Sequence, residues 1–264
     1  MQNAPVLTLL TDYGTADHYV AAVKGVILGI SPGVTLVDVT HEVTAFSVPE
    51  AAFTLSQSWK CFPVGTVHLA VVDPGVGSER RALVAAQDGH FFVAPDNGLL
   101  GMVLGAGAEV REITAGEYFR QPVSRTFHGR DIFGPVAGHL ANGVALEKFG
   151  PRVEDWLRPE FAMPVPLGPG CWRGTVLKVD HFGNLITNFA AAQYPLEDGK
   201  FELQVGNTKI SRRYAQFSAA PAGELFVYRG SMDFLEVSLN QGDAAALLRV
   251  GAGASMELRS AFRY

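Results

Sequence analysis

Three apolar runs near the start of the chain, VLTLL at 6–10, VTLVDV at 34–39 and TVHLAVV at 66–72, leave it few ways to fold. A strand that is apolar at nearly every position has no face to give to water, so it belongs inside a sheet covered on both sides. The stretches between these runs have the length and periodicity of helices. From Asp17 to Ile30, Val20, Val23, Val26, Ile27 and Ile30 recur on one helical face, and the breaker SPG at 31–33 ends the run. A second helix is expected from Pro49 to Lys60. Buried strands joined by helices make a mostly parallel sheet with helices on both faces.

After the third strand the pattern changes. ALVAAQ and HFFVA flank Asp88-Gly89, a two-residue hairpin signal. Helices are expected at 98–105 and 131–142, and RPEFAMPVPLGPG (158–170) gathers Pro and Gly without period, as a linker does. RGTVLKVD, NLITNF, FELQV, ELFVY and FLEVSL then follow as short strands between turn residues. The expected fold class is α/β: an N-terminal, mostly parallel sheet flanked by helices over 1–160, a linker at 161–170, and a smaller antiparallel, barrel-like β domain over 171–264.

Charge and cysteine usage exclude several functions. The net charge of −5 and pI near 5.8, with no basic run, argue against nucleic acid or an anionic membrane as partner. No apolar stretch approaches the roughly 20 residues that span a bilayer, and the N-terminus lacks the cationic start of a signal peptide, so a cytoplasmic location is expected. Cys61 and Cys171 stand far apart, as two reduced thiols. The histidines form no H-E-x-x-H or other metal-ligand spacing, and no metal is expected.

Five stretches carry candidate chemistry. In TDYGTADHYV, Asp12 sits where a strand meets a loop leading into a helix, the place where open α/β sheets take ligands; a carboxylate there can accept both hydroxyls of a ribose. The plainer reading, a helix-capping aspartate, suits Asp17 better. In VVDPGVGSERR, glycines at 75 and 77 let Arg80 or Arg81 return to Asp73, as part of a site or as a surface ion pair. In FHGRDIFGPVAGHLA, His128 precedes a helix and its imidazole, ordinarily near 6.5, is suited to general base work, while His139 within the helix reads as structural. VDHFGNLITN offers Asp180 to an amine, Phe182 as an apolar plate and Asn184 to a heterocycle edge, or else ordinary turn chemistry. GSMDFLEVSLNQG places Ser231 after a glycine in a turn.

These stretches occur in order together with LVDVTHEV (36–43) and APDNGLL (94–100). From Thr11 to about Gly242, the ordered set resembles the S-adenosyl-L-methionine hydroxide adenosyltransferases, relatives of the fluorinases and chlorinases. The resemblance implies hydrolysis of S-adenosylmethionine, as substrate rather than cofactor, to adenosine and methionine. It also implies a homotrimer with active sites between subunits and no separate cofactor. The family's catalytic Asp, Arg and His fall on Asp73, Arg80 and His128, with Arg80 selected over Arg81 by standing seven positions after the acid. Asp12 would take the ribose diol; Asp17, Asp180 and Ser231 the methionine amine and carboxylate; Asn184 the adenine. Phe182 and Phe217 would be apolar walls, and Phe46 would pack near the ribose. Met232 stands where halogenating relatives carry an arginine, and Asp233 where relatives often have glycine. Halogenation is the nearest alternative, but those relatives have Tyr in place of Asp73 and Tyr-Ser in place of His128-Gly129. A non-catalytic binder of S-adenosylmethionine or adenosine would not need all three of Asp73, Arg80 and His128.

Overall fold

The three apolar runs become β1 (Val6–Thr11), β2 (Thr35–Thr40) and β3 (Val67–Val71) in the computed structural model, which describes residues 4–260. The chain divides after Pro159 into two compact units. In the first, α1 (Tyr19–Ile30) and α2 (Val48–Ser58) join these strands, and the hairpin β4 (Ala82–Gln87) to β5 (His90–Pro95) follows. Asp88 and Gly89 both take positive φ, 50° and 78°, as a two-residue hairpin turn of this kind requires. With β6 (Glu109–Glu112) the sheet order is β2-β1-β3-β5-β4-β6; β2, β1, β3 and β5 run parallel, and β4 pairs antiparallel with both β5 and β6.

Leu7, Leu9, Val23, Ile27 and Val136 share one buried cluster, which joins α1 and α3 (Gly134–Ala141) to one face of the sheet. Leu10, Ala51, Leu55 and Trp59 share another, which joins α2 to the opposite face. Each such Leu or Ile contributes roughly 1.5–3 kcal/mol by leaving water. β2 differs from expectation in being the half-exposed edge, which its threonines and Asp38 tolerate.

The strand order places a topological switch between β1 and β3, because the chain leaves β1 for β2 on one side and returns to β3 on the other. Ligands of open α/β sheets bind at such a point, beyond the carboxyl ends of the strands. Thr11 pairs with Val71 there, so Asp12 and the Val72-Asp73 step leave the sheet side by side.

The second unit contains β7 (Val165–Gly168), β8 (Cys171–Val179), β9 (Leu185–Ala190), β10 (Phe201–Val205), β11 (Thr208–Ile210), β12 (Leu225–Arg229), β13 (Phe234–Leu239) and β14 (Ser255–Ser260), with a short helix α4 (Ala244–Leu248). They pair antiparallel in the order β11-β10-β14-β8-β9-β13-β12. The segment after β11 bridges to β12 through Val227 N to Arg212 O and Tyr214 N to Val227 O, at 2.9 and 3.2 Å, nearly closing the sheet into a barrel. Trp172, Phe189, Leu203, Val237 and Leu258 fill its core.

Two expectations are corrected. The stretch 161–170, expected as linker, contains β7, which pairs with β8. Its Pro166 is tolerated because β7 has a ladder on one side only. The helix expected at 98–105 is a single 3-10 turn, Leu99–Met102, packed under Pro159.

Candidate active site

Asp12 and Asp73 meet at the switch point in a cavity of about 560 Å³, whose wall also includes Tyr13, Phe46, Phe127 and His128. Beyond β3, Pro74 to Gly77 turn the chain back, and Gly77 takes φ +78. The return brings Arg80 onto Asp73. Its Nε donates to Oδ1 and Oδ2 at 2.9 and 3.0 Å, and its Nη2 donates to Oδ2. The same Nη2 lies 2.9 Å from His128 Nδ1. A guanidinium only donates, so Nδ1 accepts and the neutral ring carries its hydrogen on Nε2. Burial first, then the Arg80 charge, hold the His128 imidazole below its ordinary value. The Arg80 guanidinium also lies 5.0 Å above the Phe133 ring.

His128 is placed by a rare turn. Gly129–Phe133 forms a π-helical turn closed by Gly134 N to Gly129 O, running directly into α3. Pro135 has no N–H for the carbonyl four residues back, that of Asp131, which accepts instead from Arg120 N at 2.9 Å. The Asp131 side chain, fully buried, accepts from Arg130 Nε and Nη2, Arg120 Nη1 and Ser124 N at 2.7 to 3.2 Å. Burial opposes its ionisation, but these donors outweigh it and hold the carboxyl below its usual range.

On the other wall, Asp12 Oδ2 accepts from Phe46 N at 2.9 Å. Phe46 reaches this position at φ +68 with its ring 70% exposed, a strained conformation at the lip of the cavity. Burial raises the Asp12 carboxyl, the backbone donors lower it, and Asp73 pushes it up further, for a net rise. Tyr13 sits over Gly129: a Cβ there would lie 2.2 Å from the Tyr13 hydroxyl. Burial, followed by the Asp12 and Asp73 charges, pushes this phenol up and keeps it protonated.

Arg81 turns away, to Asp96 at 2.9 Å and to the Asp155 side chain and carbonyl at 2.7 and 2.9 Å. The APDNGLL stretch therefore has a mechanical task. Asp96 anchors Arg81, and Asn97 Nδ2 donates to Val72 O at 2.8 Å, one residue before Asp73.

A second cavity, about 550 Å³, lies in the second unit and is lined by Asp180, Phe182, Asn184, Phe217, Tyr228 and Gln241, among others. Asp180 Oδ1 accepts from the Phe182 and Asn184 amides, and its Oδ2 from Asn184 Nδ2, at 2.8 to 2.9 Å. This is the turn chemistry weighed for the motif, and it leaves the Asn184 side-chain carbonyl as an acceptor. Behind Tyr228 its hydroxyl donates to Glu236, a buried carboxyl raised first by that burial. Asp17 and Ser231 belong to neither cavity; both are exposed, Asp17 just before α1 and Ser231 in the turn before β13. Asp233 takes φ +63, so it reproduces the conformation a glycine would supply. Tyr13, Asn97, Asp131 and Tyr228 were not visible in the sequence, since each takes its role from a partner elsewhere in the chain. Among the described residues, no group of three or more His, Cys, Asp or Glu side chains is arranged to hold a metal, and no helix is long and apolar enough to cross a membrane.

A mixed sheet with an Asp-Arg-His set at its switch point, followed by an antiparallel barrel-like unit, defines a two-part α/β enzyme class. Comparison with known proteins gives the family: the chain belongs to the SAM hydroxide adenosyltransferases, whose N-terminal domain model matches residues 7–150 and C-terminal domain model residues 174–257. It is 41% identical to an (R)-S-adenosyl-L-methionine hydrolase of Salinispora tropica, covering 96% of this chain and 97% of that one. It is 36% identical to another of that name from Thermus thermophilus, over 94% and 97%. A fluorinase of an Actinoplanes species is more distant, 32% identical over 70% of this chain and 71% of its own. A crystal structure of a conserved protein from Thermotoga maritima superposes with a TM-score of 0.82 at 38% identity, covering 96% of this chain and 99% of that one.

Proposed function

We propose that this protein hydrolyses S-adenosyl-L-methionine to adenosine and L-methionine by in-line attack of water at the ribose C5′ carbon. The observation that carries this reading is the hydrogen-bonded series from Asp73 through Arg80 to His128. As the water oxygen bonds to C5′, the C5′–S bond breaks and its electron pair returns to sulfur. Methionine leaves as a neutral thioether, so no general acid is needed, and one proton is released. Substrate and water balance the reaction without a cofactor.

The tautomer divides the labour. With Nδ1 engaged by Arg80, His128 offers Nε2–H to the water oxygen and orients it, and the Asp73 carboxylate on the same cavity wall takes the proton as the bond forms. Arg80 neutralises Asp73 and supplies positive charge beside the nascent hydroxide. Holding the water in line contributes much of the rate. Asp12 accepts the ribose diol beside Phe46. Asn184 reads the adenine between Phe182 and Phe217, and Asp180, Asp17 and Ser231 serve the methionine end. We infer a cytoplasmic homotrimer with active sites between subunits; the exposed Phe46 and Phe182 side chains support aromatic surfaces awaiting a cover.

Incubation with S-adenosylmethionine in 18O-labelled water tests the reaction. Label at the 5′ oxygen of adenosine is the expected product. A 5′-halogenated nucleoside would instead mean halogenation, and bound but unchanged substrate a sensor. Arg80→Ala and His128→Ala are each expected to lower turnover at least about 100-fold with adenosine affinity nearly kept; full rate in both would remove the assignment.

A further inference from the structure

A second polar chain lies behind the cavity, and the reaction as written does not use it. Thr11, the last residue of β1, and His41, in the loop after β2, are both buried. Thr11 Oγ1 lies 2.8 Å from His41 Nδ1, and His41 Nε2 lies 3.1 Å from Asp38 Oδ1. Lys24 of α1 donates to the other oxygen of Asp38 at 2.6 Å, and Tyr13 N donates to Thr11 Oγ1 at 3.3 Å.

With His41 neutral, the acceptor-only Asp38 carboxylate facing Nε2 at 3.1 Å favours the hydrogen there and leaves Nδ1 to accept. The Thr11 hydroxyl therefore donates to His41, which leaves its oxygen to receive Tyr13 N–H. Threonine, histidine and aspartate in this order are the residue types of a hydrolytic triad. Here the hydroxyl is 2% exposed and committed to the backbone, so it is no nucleophile.

What the chain grips is the Asp12 segment. Thr11 and Tyr13 are held on either side of Asp12. The His41 loop is tied to the same segment by Gly14 N to His41 O at 2.8 Å and Val43 N to Thr11 O at 3.4 Å. The loop ends at Phe46, whose N–H meets Asp12 Oδ2. We propose that Asp38, His41 and Thr11 form a positioning relay that fixes the Asp12 carboxylate for the ribose diol, and so sets nucleoside affinity rather than the rate of the chemical step. The proposal rests on the role given to Asp12 above.

The test measures adenosine affinity by calorimetry alongside kcat and KM for S-adenosylmethionine. Thr11→Val keeps the shape and removes the hydroxyl. It is expected to raise adenosine Kd and KM together by about tenfold, with kcat within about twofold, while Thr11→Ser restores both. Asp38→Asn, at a half-exposed site, is expected to shift Kd the same way by about threefold. Unchanged Kd in both Thr11→Val and Asp38→Asn overturns the relay, as does a fall in kcat at constant KM. Wild-type protein that binds adenosine without hydrolysing S-adenosylmethionine overturns the reaction alone, and the Kd comparison still judges the relay. Wild-type protein that binds no adenosine overturns both.

Discussion

Gly77 couples the two halves of the proposed catalytic set. It turns at φ +78, and a Cβ on it would lie 2.4 Å from the Arg125 carbonyl oxygen, on the segment that leads to His128. Gly77→Ala therefore meets both a left-handed backbone, worth roughly 1–2 kcal/mol, and a collision with backbone that cannot rotate away. Urea denaturation is expected to show at least that loss, and turnover to fall with it as Arg80 and His128 separate. An alanine variant with wild-type stability and rate would mean the turn tolerates another path. At this scale the sequence was partly legible. Asp12 and Asp73 stood out because an acid that ends an apolar run at a turn has few structural reasons to be there. Composition could not choose between Arg80 and Arg81; the spacing shared with the family did. The structure supplies the reason, since Arg81 is occupied with Asp96 and Asp155. Asn97 and Asp131 gave no local signal, because Asn97 acts on a carbonyl 25 positions earlier and Asp131 organises a loop through its burial.

Among elements, the π-helical turn at Gly129–Phe133 is expected to set the pH response. It holds His128 with Nδ1 against Arg80, where burial and the Arg80 charge keep the ring neutral at pH 7. Protonation would put a hydrogen on the nitrogen that accepts from Arg80 and break that link. The pH–rate profile is expected to be flat around neutrality and to fall on the acid side, with its midpoint below the ordinary 6.5. An acid limb centred at or above 6.5 would contradict the buried, Arg80-facing ring. Elements were legible where one signal dominated: the apolar runs of β1 and β3, and Asp88-Gly89 between β4 and β5. The π turn was invisible because apolar spacing alone does not distinguish it from a helical turn. β6, β7 and β11 are three to four residues each, too short for alternation to show.

For the molecule as a whole, two histidines away from the site, His68 and His90, make stability depend on pH. His68 and His90 are buried in the first unit. His68 Nδ1 lies 2.8 Å from Thr8 Oγ1, and its Nε2 lies 3.2 Å from His90 Nδ1. Burial, then His90, pushes the His68 imidazole down to about 3. Between that value and the ordinary 6.5 the unfolded chain binds a proton that the folded chain refuses. The His68 contribution to stability is therefore complete above about 6.5 and is lost as pH falls, by at most ~1.4 kcal/mol per pH unit. Denaturation midpoints at pH 7, 5 and 4 are expected to trace this slope, and His68→Gln to flatten it whatever its starting stability; an unaltered slope would assign the acid loss to other groups. The division into an α/β unit and a β unit was readable as a change of rhythm, from helix-length spacers to turn-length ones. The pairing of the strand ends that carry Asp12 and Asp73 was not, since it depends on strand order. That order also has a use at the bench. Because β1 and β3 run in parallel register, their carboxyl ends carry Asp12 and Asp73 together and their amino ends lie about a strand's length away. The Pro32-Gly33 bend that returns the chain to β2 is exposed at that quiet end. A peptide tag or a fluorescent label spliced between those two residues should report on the enzyme without touching what it does.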